Sequence, residues 1–143
     1  MDAKEYLDRI RMMMREKELW ERELEKVDEM LKPSAIRYDG DRITSTPSKD
    51  GLEKLAIKHM KRREKVIRKM NENISELIVA RSEALSCIRQ IKSYDQQEIL
   101  ILRYLDNLPW WTINQIRRTN DESSQFKLRD RAIESLQKIL DKQ

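Results

Sequence analysis

Apolar side chains at Tyr6, Ile10, Met13, Trp20, Leu24, Val27 and Leu31 step alternately by four and three residues, with Lys17 in the one polar slot of the series. A period of 3.5 sustained over that length predicts a helix with a coiled-coil seam. Pro33 is expected to end it, since the proline ring removes a helical hydrogen bond and biases Lys32 towards extended backbone. A second seam runs Leu52, Ala56, His59, Arg63, Val66, Met70, Asn73, Leu77, Ala80, Ala84, Cys87 and Ile91. A further row at Ile67, Ile74, Ile78, Leu85 and Ile88 widens its apolar stripe, so this helix needs cover from more than one neighbour. The expected arrangement is a long antiparallel helical hairpin, its second helix projecting beyond the first or pairing with another subunit, and a homodimer is expected to cover the surplus stripe. His59, Arg63 and Asn73 are polar seam residues, a device that fixes register or partner number.

Between the seams, residues 33–50 hold the turn chemistry of the first half. Asp39-Gly40-Asp41 favours a tight turn between two β-prone pieces, Ala35–Tyr38 and Arg42–Thr44, read as a small hairpin or an ordered loop, with the loop preferred. Asp50 and Glu53 have the spacing of a capping box at the start of the second helix.

Past residue 92 the pattern changes. Three short apolar clusters follow, Ile99–Leu102 with Leu105, then Trp110, Trp111, Ile113 and Ile116, then Phe126 through Leu140. The turn-rich pieces Asp106-Asn107-Leu108-Pro109 and Thr119-Asn120-Asp121 separate them. Capping-box spacings at Ser93/Gln96, Thr112/Gln115 and Thr119/Glu122 mark candidate helix starts. The whole reads as an all-α chain: residues 1–92 a coiled-coil-like helical hairpin with a loop at 33–50, residues 93–143 a small three-helix module. Its last two helices have the connection of a helix-turn-helix.

Composition narrows the function. Charged residues are 39% of the chain and aromatics 6%, with two glycines and three prolines, which favours surface-rich helices over a sheet. No apolar run approaches the roughly 20 residues that span a bilayer, and the start lacks the basic and apolar regions of a secretory signal. The single Cys87 fits a reducing compartment, so a cytoplasmic protein with no membrane association is expected. With one histidine and one cysteine there is no metal-ligand set, and no phosphate-binding loop, nucleophile elbow or H-E-x-x-H appears. No enzyme activity and no cofactor are expected.

Charge is uneven along the chain. Residues 52–92 carry 11 basic and 5 acidic groups, whereas residues 93–143 carry 8 of each. The excess sits in Lys58, Lys61, Arg62, Arg63, Lys65, Arg68 and Lys69, either a solvated helix face or a surface for phosphates or an acidic partner.

Residues 95–140 resemble sigma-factor region 4 and its phage relatives, through Ile99-Leu100-Ile101-Leu102-Arg103-Tyr104, then Trp110-x-x-Ile113, then Arg131-Ala132-Ile133-x-x-Leu136. Together with Ala35-Ile36-Arg37-Tyr38-Asp39 and Ser45-Thr46-Pro47 before a long helix, the chain is similar to phage late-gene transcription regulators of the ArpU and RinA kind. It departs from them in having Asn114 or Arg117 where a small alanine is usual, and Thr119-Asn120-Asp121 in place of a glycine turn, which leaves the register of the last helix open. The resemblance implies a phage or prophage regulator of late genes in the bacterial host cytoplasm, with double-stranded DNA as partner and RNA polymerase as a second one. The alternative is a helical interaction factor that docks on polymerase or another protein without reading DNA.

On that reading Ser123, Ser124, Gln125 and Lys127 are the expected base contacts, and Arg117, Arg118, Arg129 and Arg131 the phosphate contacts. For each, an ordinary solvated side chain is the plain alternative. Trp110 and Trp111 are expected to supply the module's core and cover a helix junction, in preference to stacking nucleotides. Met13 of Met12-Met13-Met14 belongs to the first seam.

Overall fold

The computed structural model describes residues 1–32 and 49–143, with Lys49 and Asp50 as backbone alone. Those residues form an all-α fold: α1 (Ala3–Met30), α2 (Lys49–Ile88), α3 (Tyr94–Leu100) running into a π-helical turn (Ile101–Leu105), α4 (Trp110–Ile116) and α5 (Glu122–Asp141). The expected hairpin or loop at 35–44, the break at Pro33 and the capping by Asp50 lie outside the described residues.

Four of the helix starts have a chemical reason among the described residues. The Asp2 carboxylate accepts from the backbone N–H of Lys4 at 2.8 Å, satisfying a donor that the first turn of α1 leaves without a helical partner. Ser93 caps α3 by accepting from the Gln96 N–H, at the expected position. The other two expected starts shift. α4 begins directly after Pro109, placing Thr112 inside the helix, because proline at a helix start loses no hydrogen bond there. α5 is capped by Asp121, which accepts from Ser124 N–H at 3.1 Å, while the Thr119 hydroxyl serves the turn by accepting from Asp121 N–H.

By internal contact the chain divides into two compact units, Met1–Arg15 with Ser75–Gln143, and Glu16–Ile74. In the second unit the long helices touch along their seams: Val27 and Val66 are buried, and Arg62 and Arg63 reach Glu23 and Asp28 of α1, each at 2.6 Å. The polar seam residue Arg63 thus helps set the register between these two stretches of helix, and Asn73 is buried.

In the first unit one cluster joins Ala3, Leu7 and Ile10 of α1, Leu77, Ala84, Cys87 and Ile88 of α2, Ile91 beyond it, and Ile99, Leu100, Tyr104, Leu105, Ala132 and Leu136. The C-terminal helices therefore share their core with both long helices, across the sequence boundary at 92/93. Leu85 and Ile88 of the surplus stripe are covered here within the chain, so they give no reason for a second subunit. Ile78, expected in that covered row, is exposed. The tryptophans part: Trp110 packs against the core with its ring edge-on to Phe126 at 4.9 Å, while Trp111 is 65% exposed rather than covering a junction. No helix among the described residues is long and apolar enough to cross a membrane.

Candidate nucleic-acid interface

α4 and α5 are joined by Arg117–Asp121, and the way the joint is closed decides which side chains face out. α4 ends with Thr119 N–H donating to Asn114 O at 2.9 Å and Arg118 N–H to Gln115 O at 3.2 Å, the paired bonds of a Schellman motif. That motif needs one left-handed residue. The sequence offers Asn120 for it, but Arg118 takes it, with φ 54°. A Cβ there costs roughly 1–2 kcal/mol. Arg118→Gly is therefore expected to raise stability by about 0.5–1 kcal/mol in urea unfolding while removing an exposed cation from the joint.

Two of the expected contact residues turn inward. Gln125, expected at a base edge, is 5% exposed, and its carbonyl accepts from Arg117 Nε at 2.9 Å. Arg117, expected on a phosphate, has an 11% exposed side chain that also binds Glu98 at 2.5 Å and Asp95 at 3.5 Å. Both placements correct the sequence reading: the buried amide satisfies a buried guanidinium fork, and each would lose its partner by reaching for DNA. Arg129 is half-buried. It lies 5.6 Å from the centre of the Trp110 ring and 5.3 Å from that of Phe126, and pairs with Asp130 at 3.1 Å. It too is engaged with its own protein instead of standing free for a phosphate.

Ser123, Ser124, Lys127, Arg118 and Arg131 are exposed. Ser124, Lys127 and Arg131 follow at three and four residues, which puts them on one face of α5. Behind them the helix is held by Phe126 against Trp110, with the Arg103 guanidinium 4.9 Å from the centre of the Trp110 ring. Burial, and then neighbouring Arg11, lowers the Arg103 guanidinium from its usual range, while burial raises the Tyr104 phenol beside it.

The sequence gives Trp111, Gln115 and Asn120 only core, capping and turn roles, yet with Arg118 and Glu122 they line an open concavity of about 520 Å³ at the joint. The left-handed Arg118 is part of this lining, and arginine gives no local signal for that conformation. In the basic segment, Arg62 and Arg63 are occupied by α1 carboxylates and Lys69 lies 3.8 Å from Glu72, whereas Lys58, Lys61, Lys65 and Arg68 are exposed. Among the described residues no group of three or more His, Cys, Asp or Glu side chains is placed to hold a metal ion. The chain matches no family model, no curated protein and no solved structure.

Proposed function

We propose that this protein binds double-stranded DNA through α4, the joint and the first turns of α5, and acts as a transcription regulator, of phage or prophage late genes on the resemblance to the ArpU and RinA kind. One observation carries the reading: Ser123, Ser124 and Lys127 open α5 as an uncovered polar edge, continued by Arg131, on a helix fastened from behind by Arg117 and Gln125. A helix entering the major groove presents the side chains of its first turns to base edges. Lysine there suits guanine and serine is permissive, while Arg118 and Arg131 supply phosphate contacts. Its setting is the cytoplasm of the bacterial host, and a homodimer built on the exposed Ile78 and Val79 of α2 belongs to the same proposal.

A second reading has its own support. Trp111 and Ile116 on α4 are 65% and 50% exposed, and large apolar groups of that kind suit a protein partner such as RNA polymerase.

Selection of bound duplexes from a randomised pool, followed by titration of Lys127→Ala, separates the two. Loss of a base contact worth about 1–3 kcal/mol lowers affinity for the selected duplex roughly 5- to 150-fold and leaves unselected duplex far less affected. A chain that enriches no sequence but captures polymerase subunits through Trp111 supports the second reading.

A further inference from the structure

The three C-terminal helices leave an electrostatic deficit. Residues 93–143 carry equal numbers of basic and acidic groups, and three candidate contacts are already engaged internally. Counterion release drives much of duplex affinity, so a chain that binds DNA needs cations elsewhere.

In the unit Glu16–Ile74, α2 has a line of them. Lys58, Lys61, Lys65 and Arg68 step by three, four and three residues, which at 3.6 residues per turn keeps them within roughly 80° of the helix surface. The seam residues Ala56, His59, Arg63 and Val66 occupy the opposite side, where Val66 is buried. All four cations are exposed and none makes an ion pair among the described residues, in contrast to Arg62 and Arg63, which α1 has taken. The only carboxylate from Lys58 to Lys69 is Glu64.

We infer that this stripe is a second nucleic-acid contact, which holds the phosphates of duplex DNA without reading sequence. The line spans about 15 Å at 1.5 Å per residue, a length along which one DNA strand presents about four phosphates. Charge count and length agree. An anionic membrane is a poorer fit, because an interfacial helix needs a contiguous apolar band beside its basic face. The exposed apolar residues here, Leu55, Ile57 and Met60, are spread around the helix by its own pitch, and the seam is covered.

The inference rests on duplex DNA being the ligand, and salt dependence distinguishes it from the α5 reading. Affinity for a non-specific duplex is measured against salt with the full-length chain. Each phosphate released is expected to flatten the log–log slope by about 0.9, so Lys61→Gln with Lys65→Gln flattens it by about 1.8. With affinity at 1 M salt unchanged, that is a loss of roughly 60-fold at 0.1 M. Lys61→Arg with Lys65→Arg keeps the slope. An unaltered slope in the glutamine pair overturns the inference, as does an equal loss in the arginine pair. So does binding to phosphatidylserine vesicles that the glutamine pair abolishes while the duplex slope stays put. A flattened slope in a chain that enriches no sequence supports the stripe and sinks the α5 reading; a chain that retains no duplex at all sinks both.

Discussion

A fragment of residues 93–143 is expected to be largely unfolded, with weak helical circular dichroism and no cooperative melting transition, although it contains every residue of the proposed recognition helices. Among the described residues, fourteen are buried in the core around α3 and α5, and eight of them come from outside the fragment, among them Leu7, Ile10, Ile88 and Ile91. Burying one such side chain contributes about 1.5–3 kcal/mol, and a whole domain is stable by only about 5–15 kcal/mol. Losing those four alone removes about 6–12 kcal/mol, as much as a typical domain's whole net stability, so the entropy of ordering the fragment is no longer offset. Polar fastenings go with them: Ala3 N–H donates to the Gln137 carbonyl at 2.7 Å, and Arg11 to Asn107 at 3.0 Å. In the intact chain Leu7→Ala alone is expected to cost about 2–5 kcal/mol, because Leu7 is fully buried and its site has neighbours on several elements. On the proposed function, the fragment should also lose the duplex binding proposed for the full chain. A sharp, reversible transition in the fragment would instead make it a free-standing module.

What the sequence disclosed and what it hid divide along physical lines. The seams were readable because many residues repeat one instruction: every position from Tyr6 to Leu31 and from Leu52 to Ile91 in the two series is buried or half-covered. Leu7 lies off the narrow seam, yet it is fully buried, since the start of α1 meets a third and fourth neighbour that no local period announces. The inward turn of Gln125 depends on Arg117, and that of Arg117 on Glu98 and Asp95, 19 and 22 residues earlier. Glutamine and arginine are polar in any local pattern, so their burial is a property of the tertiary fold alone. The left-handed residue was hidden for a similar reason. Asn120 has the intrinsic preference, but the hydrogen bonds closing α4 require that conformation one residue after the cap, where Arg118 stands.

Arg117→Met is expected to destabilise the unit containing α3–α5 by about 3 kcal/mol and, at temperatures where the chain stays folded, to loosen the proposed recognition edge. One guanidinium joins three helices: it sits at the end of α4, donates to Gln125 of α5, and binds Glu98 and Asp95 of α3. Asp95 is mostly exposed, and its share is small. The larger share comes from Glu98 and Gln125. Breaking a fully buried ion pair costs about 3–5 kcal/mol, discounted here because the Glu98 side chain is 28% exposed, and stranding the Gln125 carbonyl adds about 1–3 kcal/mol. Methionine fills most of the volume, so packing loss is minor. With a urea dependence near 2 kcal/mol per molar, the midpoint falls by about 1.5 M. Arg117→Lys keeps the charge but not the planar fork, so it should recover less than half of the loss. Adding Glu98→Gln to Arg117→Met removes the stranded carboxylate, and the double variant should be more stable than the single one. Equal midpoints for the wild type and Arg117→Met would show that the contact does not hold the helices together, and the support it gives to Ser124 and Lys127 would go with it.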